Sequence, residues 1–395
     1  MKKKILFVIN TLGRAGAETA LITLLKKLPE NEYDISLYVL CGQGELVREL
    51  PTYVHLLNRH FCGESVLSKG KFLLFKTVLI KNFCHGAFFH NLSYLFLNRK
   101  NTPLEKLLWR IVSDGSERFD THFDLAVSYI EGGSAYYVHD HVSAAKKAAF
   151  IHVDYVQAGY TRRLDKDCYV DFDRIFAVSD ETAGVLAGVY PECQQKLSVF
   201  HNLIDTEAIR QKALLPAEKS MHEGIRLLTV GRLTPQKGFD CAVYALKLLL
   251  EKQYPVYWYI IGEGPEYGRL TQLARSLHVE DHFIFLGMQT NPYPYFKMAD
   301  FYIHATRFEG KSIAIQEAQV LGCAIAASDC SGNREQIVSG VDGLLCPFSP
   351  EGIANAVEYL IEHPQTAQSF GRAAAQKACH FENDIHMIRD LLYSP

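Results

Sequence analysis

Residues 225–250 contain the pattern that decides the fold. They read Ile-Arg-Leu-Leu-Thr-Val (225–230), then Gly-Arg-Leu-Thr-Pro-Gln-Lys-Gly (231–238), then Phe-Asp-Cys-Ala-Val-Tyr-Ala-Leu-Lys-Leu-Leu-Leu (239–250). The first run is apolar and typical of a buried strand, the second has the glycines and proline of a turn, and the third has the length of a helix. A strand, a turn and a helix in this order predict one repeat of a parallel sheet that is covered by helices.

The same order of elements begins the chain. The apolar run Lys4–Ile9 precedes a turn with Gly13 and Gly16, and leucines at helical spacing follow until Pro29. Further apolar runs lie at 35–40, 125–130, 148–153 and 175–178 in the first half, and at 256–261, 283–286, 301–303 and 324–327 in the second. The sequence therefore predicts an α/β protein with two Rossmann-like, doubly wound parallel-sheet domains that face each other across a cleft.

A chain of 395 residues is too long for one ordinary core. We expect an N-terminal domain over residues 1–201, a linker with Pro216 over 202–223, a C-terminal domain over 224–378 and a final helix within 379–395. The pattern does not show on which domain the final helix packs.

The composition is that of a folded cytoplasmic protein. Hydrophobic residues make up 48% of the chain, and the net charge of −3 gives no basic field for nucleic acid. The ten cysteines form no C-x-x-C pair, so we expect free thiols rather than disulfides or a zinc site. The apolar run after the basic N-terminus is too short for a signal peptide, and no uninterrupted apolar stretch of about 18 residues could span a bilayer.

Residues 68–111 depart from the alternation of strands and helices. They contain eight lysines or arginines and a single acid, Glu105, with large apolar residues between them. Such a mixture suits a surface that lies on anionic lipid head groups, at the cytoplasmic face of a membrane. It equally suits an insertion whose apolar side packs on the sheet while its basic side faces water.

A stretch in the second half predicts a phosphate site. Residues 308–318 read Phe-Glu-Gly-Lys-Ser-Ile-Ala-Ile-Gln-Glu-Ala, and a helix should begin near Ser312. The unpaired backbone N–H groups at a helix start attract phosphate oxygens. Glu309 before the helix and Glu317 inside it could engage different parts of one elongated ligand. The alternative is two solvated surface glutamates.

Two glycine-containing turns add to this prediction. Arg232 and Lys237 supply cations on a loop after a buried strand, where they suit a leaving diphosphate, unless both pair with surface acids. Gly231 permits close approach of the backbone in the same loop. Gly264, in the Gly-Glu-Gly-Pro turn at 262–265, would let a flat base approach the backbone.

These motifs, in this order, resemble retaining glycosyltransferase family 4, the group 1 glycosyltransferases of the GT-B fold, and in particular its polysaccharide-biosynthesis members. The resemblance rests on G-R-L-x-x-x-K-G at 231–238, G-E-G-P at 262–265, F-L-G at 285–287 and E-x7-E at 309–317. The N-terminal half is similar at 16–21, which read Gly-Ala-Glu-Thr-Ala-Leu, and at 150–155, which read Phe-Ile-His-Val-Asp-Tyr.

The resemblance implies a nucleotide-sugar donor on the C-terminal domain and an acceptor on the N-terminal domain. Glu317 would bind the ribose hydroxyls and Glu309 the transferring sugar, while Arg232 and Lys237 would neutralise the departing diphosphate. His152 would hydrogen-bond the sugar or its transient charge. Six further positions would contribute to donor binding: Gly16, Gly231, Gly264, Lys311, Ser312 and Ile313.

The resemblance also implies a metal-independent reaction without a cofactor, which retains the anomeric configuration of a UDP- or GDP-linked sugar. The acceptor would be a lipid-linked or cell-surface glycan of capsule, exopolysaccharide or lipopolysaccharide synthesis. The D-x-D at Asp171 and Asp173, which suggests metal-binding carboxylates in another large glycosyltransferase fold, directly precedes a predicted strand. We therefore interpret it as the polar start of that strand.

Two other functions fit the same fold. A sugar-nucleotide epimerase would need additional acidic and basic groups around the sugar, and no convincing set is visible. A catalytically silent glycan-binding subunit would have no chemical reason to keep Glu309, Glu317, Arg232 and Lys237. His304, just before the 308–318 stretch, is assigned no role, since a lone histidine among apolar residues is more often structural.

Overall fold

The structure is a computed structural model that describes residues 2–64, 104–378 and 384–394, together with residues 82, 86, 91 and 93. By their internal contacts they divide into two units, one formed by Met1–Leu203 with Asn383–Pro395 and one formed by Ile204–Glu382. Each unit is built on a parallel sheet with helices packed against it. This confirms the predicted fold class of two Rossmann-like domains.

The sheet of the first unit has the strand order β3-β2-β1-β4-β5-β6-β7, and all its pairings are parallel. Its strands are β1 (Lys3–Ile9), β2 (Tyr33–Val39), β3 (His55–Leu56), β4 (Phe123–Ser128), β5 (Ala144–Ile151), β6 (Arg174–Ala177) and β7 (Leu197–Val199). The five apolar runs predicted for this half correspond to β1, β2, β4, β5 and β6. The short edge strands β3 and β7 were not predicted.

Helices pack on both faces of this sheet. They are α1 (Gly16–Lys27), α2 (Leu104–Asp114), α3 (Gly133–His141), α4 (Arg162–Asp165) and α5 (Asp180–Val189). Ile5 and Phe7 pack into one core with Leu21 and Leu24 of α1, whereas Leu6 packs into a second core. Because alternate residues of β1 enter different cores, the strand is apolar throughout rather than alternating.

The sheet of the second unit has the order β10-β9-β8-β11-β12-β13, again with parallel pairings. Its strands are β8 (Ile225–Val230), β9 (Val256–Ile261), β10 (Phe283–Gly287), β11 (Phe301–His304), β12 (Ala324–Ser328) and β13 (Leu344–Cys346). The predicted apolar runs correspond to β8 through β12. Since β8 and β11 are neighbours in the middle of the sheet, the loops that follow them lie side by side.

The helices of the second unit also cover both faces of its sheet. They are α6 (Thr206–Lys212), α7 (Phe239–Glu251), α8 (Tyr267–Ser276), α9 (Tyr293–Met298), α10 (Ile313–Val320), α11 (Ser331–Arg334), α12 (Pro350–Glu362) and α13 (Pro364–Ala378). Leu246 of α7 shares a core with Trp258, and Ile315 of α10 shares the other core with Tyr302.

The predicted linker 202–223 contains a helix. Asp205 caps α6 by accepting a hydrogen bond from the N–H of Ala208 (3.0 Å). Ile209 on α6 is buried together with Val320 and Ala378 of the second unit. The first part of the predicted linker is therefore a packed part of that unit.

The last helix, α14 (His386–Tyr393), belongs to the first unit. Its Ile388, Leu391 and Leu392 are buried in the core that contains Ile5. Before the helix, Asp384 accepts hydrogen bonds from the N–H of His201 (2.7 Å) and contacts its ring Nδ1 (2.8 Å). The chain thus leaves the first unit at residue 203 and returns to it at the C-terminal end.

Most of the predicted insertion 68–111 lies outside the described residues, and α2 is its end. Arg110, one of the eight basic residues of this segment, is only 3% exposed; it pairs with Asp140 (2.5 Å) and stacks on the Tyr136 ring (4.0 Å). Arg110 therefore faces neither lipid nor water, as the two alternatives would have the basic residues of this segment do, because its guanidinium packs inside the unit. Among the described residues, no helix has the length and apolarity needed to cross a membrane. The eight described cysteines are free thiols.

Candidate active site

The loop after β8 is tied to the loop after β11 by hydrogen bonds. The carbonyl of Gln236 accepts from the N–H of Arg307 (2.8 Å), and its side-chain amide donates to the carbonyl of Phe308 (3.0 Å). Gly238 has a φ of +62°, and a Cβ at this position would overlap the carbonyl oxygen of Ala305. Both loops lie at the carboxyl ends of neighbouring strands, where ligands bind in open α/β sheets.

The two loops bring Lys237 and Glu309 into direct contact. The Lys237 ammonium forms a short ion pair with Oε2 of Glu309, and Nε2 of His304 lies 3.5 Å from the same oxygen. The exposed fractions of the Lys237, Glu309 and His304 side chains are 18%, 11% and 2%. Since both contacts are made to Oε2, Oε1 of Glu309 has no ion-pair partner among the described residues and can receive a ligand.

The surroundings of Glu309 keep it ionised. Burial by itself would raise the pKa of Glu309, but the charge of Lys237 and the imidazole of His304 outweigh burial and lower this pKa to about 2. Glu309 is therefore a carboxylate at neutral pH, which can accept hydrogen bonds from hydroxyl groups.

Arg232 lies on the same loop as Lys237 but is exposed to solvent. Within the described part of the chain its guanidinium forms no hydrogen bond and no ion pair. Arg307 on the neighbouring loop is different, because Asp240 holds its guanidinium by two hydrogen bonds of 3.0 and 2.8 Å. Arg232 can therefore direct its fork of N–H donors to an anionic ligand.

Helix α10 begins where the sequence predicts. Ser312 is its N-cap, and the hydroxyl accepts from the N–H of Ile315 at 3.5 Å. Ser312 and Ile313 are buried, and Lys311 is half-buried. The first N–H groups of the helix have no intrahelical acceptor, and together with the helix dipole they favour an anion at this end.

Glu317 is buried inside α10 and has the opposite protonation behaviour to Glu309. The hydroxyl of Tyr293 on α9 donates to its Oε1 at 3.0 Å. Burial raises the pKa of Glu317 to about 7, and the Tyr293 hydrogen bond and the Lys212 charge oppose this rise only in part. The two carboxyls of the E-x7-E motif therefore titrate in different pH ranges.

The two predicted glycine-rich turns pack against each other. A Cβ on Gly264 would overlap the carbonyl oxygen of Leu233, and the N–H of Leu233 donates to the carbonyl of Glu263 (2.9 Å). A Cβ on Gly231 would meet only the Lys237 side chain, at an ordinary 3.7 Å. Gly264 is thus required by the contact between the loops, and its predicted role in base binding stays a prediction.

His152 follows β5 in the first unit and is held by its neighbours. Its backbone N–H donates to Oε2 of the buried Glu131 (3.0 Å), and its ring packs against Tyr129 and Phe150. Burial lowers the pKa of His152 to about 4, although a hydrogen bond with the backbone of Tyr129 opposes this. The neutral ring has a buried Nε2 that lacks a hydrogen-bond partner among the described residues.

Gly16 is the exposed first residue of α1, in the loop after β1. Beside it, Arg14 pairs with Glu49 (3.2 Å), and the Thr11 hydroxyl donates to the buried Glu18 (3.0 Å). Gly16 therefore offers an open backbone at the carboxyl end of the first sheet.

The D-x-D carboxylates have structural partners. Asp171 contacts Nε2 of His139 (2.8 Å), and Asp173 accepts from the N–H of Lys147 (2.7 Å).

Another group, formed by Asp114, Asp140 and His141, brings possible ligand atoms within 4.8 Å of one another. Asp140 is paired with Arg110, and Asp114 accepts from Asn91 and contacts His141. The predicted metal independence stays a prediction.

Comparisons with known proteins agree with this geometry. Residues 210–377 match the family model of glycosyl transferases group 1. The chain is 24% identical over 393 residues to the N-acetylgalactosamine-N,N'-diacetylbacillosaminyl-diphospho-undecaprenol 4-alpha-N-acetylgalactosaminyltransferase of Campylobacter jejuni. The alignment covers 99% of this chain and 98% of that relative. Residues 210–377 belong to the group 1 glycosyltransferases.

Solved structures support the fold of this glycosyltransferase. Anabaena Alr3699/HepE in complex with UDP matches 100% of both chains with a TM-score of 0.66 and 17% identity. Sucrose-phosphate synthase of Thermosynechococcus elongatus matches 99% of this chain and 98% of its own, with a TM-score of 0.70 and 16% identity. At such identities the likeness shows the GT-B fold only.

The structure of the glycosyltransferase brings some of the predicted site residues together. Lys237 and Glu309 are in contact, whereas no hydrogen bond or ion pair joins Arg232 or Glu317 to this pair in the described part of the chain. Sequence reasoning missed Tyr293 and left His304 without a role. It also missed Glu131, whose carboxylate accepts from the backbone N–H of His152; His152 itself was identified only from the resemblance at 150–155. Tyr293 gives no signal in the sequence, because its contact with Glu317 comes from the packing of α9.

Proposed function

We propose that this glycosyltransferase moves a sugar, with retention of configuration and without an obligate metal, from a UDP- or GDP-linked donor to a hydroxyl of a lipid-linked or cell-surface glycan. The observation that carries this proposal is the buried Lys237–Glu309 pair, with the exposed Arg232 on the same loop as Lys237. The UDP in the Anabaena structure supports a UDP-linked donor. The name of the Campylobacter relative, with its α-linkage and diphospho-undecaprenol, supports a lipid-linked acceptor.

The reaction would proceed on one face of the sugar. The bond between the anomeric carbon and the diphosphate oxygen breaks, and its electron pair leaves with the diphosphate. The acceptor oxygen bonds to the same face of the anomeric carbon, and its proton passes to the departing phosphate oxygen. Arg232, Lys237 and the N-terminus of α10 stabilise the charge on the leaving group, which is where preorganised donors contribute most to catalysis.

The remaining residues would orient the donor. Glu309 accepts hydrogen bonds from hydroxyls of the transferring sugar through Oε1, and Glu317 accepts them from the ribose. Lys311 adds a third cation near the phosphates. His152, whose Nε2 lacks a protein partner among the described residues, hydrogen-bonds the sugar.

The function is tested in two steps. A thermal-shift series with UDP, GDP and ADP should show stabilisation by one of them, because a ligand that binds the folded state raises the unfolding temperature. Mass spectrometry of the matching sugar nucleotides with lipid-linked acceptors should then show a glycosylated acceptor. An isomeric sugar nucleotide formed without acceptor would indicate an epimerase instead, and no binding of any nucleotide would indicate a silent subunit.

Donor affinity should increase with pH around neutrality. Ribose hydroxyls donate to the ionised carboxylate, and a pKa of about 7 means that Glu317 is mostly protonated at pH 6 and mostly ionised at pH 8. If the carboxylate form binds, the affinity for a UDP-sugar should rise about tenfold between these pH values. Calorimetric titration with a UDP-sugar measures this affinity. The diphosphate of the donor is esterified at both ends and does not titrate between pH 6 and 8, so a change in affinity reports on the protein.

The matched control is Glu317→Gln, which cannot ionise. Its affinity should be lower than that of the wild type at pH 8 and nearly independent of pH. A wild-type affinity that is constant from pH 6 to 8 would contradict the assignment of Glu317 to the ribose.

We also propose that residues 68–103 bring the enzyme to anionic membranes, where a lipid-linked acceptor resides. Sedimentation with vesicles that contain anionic phospholipid should show binding that weakens with salt and with neutralisation of Lys69, Lys71, Lys76 and Lys81. Binding that ignores both changes would contradict an electrostatic contact.

A further inference from the structure

His304 lies at the end of β11, next to the carboxylate that the proposed function places on the transferring sugar. It is 2% exposed. Its Nδ1 is 3.2 Å from the hydroxyl of Tyr302, and its Nε2 is 3.5 Å from Oε2 of Glu309. The imidazole therefore bridges a buried phenol and a buried carboxylate.

The surroundings of His304 determine which ring nitrogen carries the proton. Burial lowers the pKa of His304, so that the ring is neutral at pH 7 and has one donor and one acceptor. A lone pair on Nε2 would face and repel the carboxylate oxygen of Glu309 at 3.5 Å, so the favoured tautomer carries its proton on Nε2. Nδ1 then accepts the hydrogen bond of the Tyr302 hydroxyl at 3.2 Å.

Glu309 needs a second partner if Lys237 is to act on the donor. In the described residues its carboxylate contacts Lys237 and His304, both at Oε2. A diphosphate that arrives at Lys237 competes for the ammonium, and a buried carboxylate that loses its cation is strongly destabilised unless another donor compensates it. At 3.5 Å, Nε2 is just outside ordinary hydrogen-bond distance and can close this gap when Lys237 moves.

We propose that His304 is a positioning residue: its Nε2–H holds the Glu309 carboxylate in place while Lys237 exchanges Glu309 for the diphosphate of the donor. The proposal rests on the proposed function, since it takes Glu309 as the residue that contacts the transferring sugar. His304 itself touches no substrate and acts through Glu309.

Two substitutions separate this role from a structural one. In His304→Gln the amide nitrogen takes the place of Nε2, whereas in His304→Asn it takes the place of Nδ1. We expect His304→Asn to lower kcat about thirtyfold, within the range for loss of a hydrogen bond to a charged group, and His304→Gln to stay within about fivefold of the wild type. The Kd for UDP should rise in His304→Asn and stay near the wild-type value in His304→Gln, because Lys237 must exchange Glu309 for the diphosphate of UDP as well.

The opposite order of activities would overturn the proposal, because a merely structural histidine that supports Tyr302 is better replaced by asparagine. Equal losses in both variants would overturn it as well. If neither variant folds, Tyr302→Phe tests the same point. Without the hydroxyl that fixes the tautomer, kcat should fall several-fold and the Kd for UDP should rise, and unchanged values of both would contradict the proposal.

A failure of the proposed function can be recognised separately. Wild-type enzyme that transfers no sugar from any donor would contradict the function. Two double-mutant cycles in urea unfolding, which combine Glu309→Gln with His304→Gln or with His304→Asn, would then test the contact between His304 and Glu309. A clear coupling energy in the cycle with His304→Asn, together with a coupling energy near zero in the cycle with His304→Gln, supports the positioning role. Additive effects in the cycle with His304→Asn overturn it.

Discussion

Arg232→Ala should lower kcat at least about a hundredfold and leave the unfolding transition cooperative, because a donor aimed at the charge of a leaving group contributes roughly 100–1,000-fold. The guanidinium is exposed and has no partner in the described part of the chain, so its loss breaks no contact of the folded protein. Steady-state kinetics with the matched donor and acceptor measures the effect, and urea unfolding verifies the fold.

Two further variants separate the site from general charge effects. Arg232→Lys keeps the positive charge but loses the planar fork, and should recover part of the rate. Arg275→Ala removes another exposed arginine of the same unit, on α8, and should leave kcat unchanged. Near-normal turnover of Arg232→Ala, or an equal loss in Arg275→Ala, would remove Arg232 from the groups that stabilise the diphosphate.

Lys237→Met should affect both stability and turnover. Removing one partner of a buried ion pair leaves the other charge uncompensated, and we expect a loss of about 3 kcal/mol in the free energy of unfolding at pH 7. This is the lower end of the usual range, because the Lys237 side chain keeps 18% of its surface exposed. Turnover should fall at least about a hundredfold, since a cation near the diphosphate is lost. Urea unfolding and single-turnover kinetics measure the two effects.

The double variant Lys237→Met with Glu309→Gln distinguishes the two contributions. Without the buried carboxylate there is no charge left to compensate, so the second substitution should recover most of the lost stability. It should not recover turnover, because both ligand-binding groups are then absent. A double variant that is less stable than Lys237→Met would contradict the pairing, and one that regains activity would contradict the roles of both residues.

Most of the fold could be predicted because a strand that is buried on both faces leaves a continuous apolar run. β1 and β8 are such strands, and the order in which similar runs alternate with helices indicates parallel sheets. The edge strands β3, β7 and β13 have only two or three residues each, which is too short for a recognisable run. α6 was missed for another reason: Ile209 is buried by Val320 and Ala378, which lie far along the chain.

The site could be predicted residue by residue but not as a set of contacts. Lys237 and Glu309 were each identified as groups that bind a ligand. That they neutralise each other depends on two loops 72 residues apart, and no local pattern reports it. The same is true of Tyr293, which raises no signal until α9 packs beside α10. A motif thus indicates which chemistry is present, whereas the protonation state of each group follows from the tertiary structure.

The return of α14 to the first unit affects how the protein can fold on the ribosome. Ile388, Leu391 and Leu392 complete a core whose other members all lie before residue 204, and the contiguous second unit is synthesised in between. At roughly 5–20 residues per second, about 10–35 s pass between the two pieces. The second unit can therefore finish folding first, while the apolar surface that waits for α14 is accessible to chaperones and to neighbouring nascent chains.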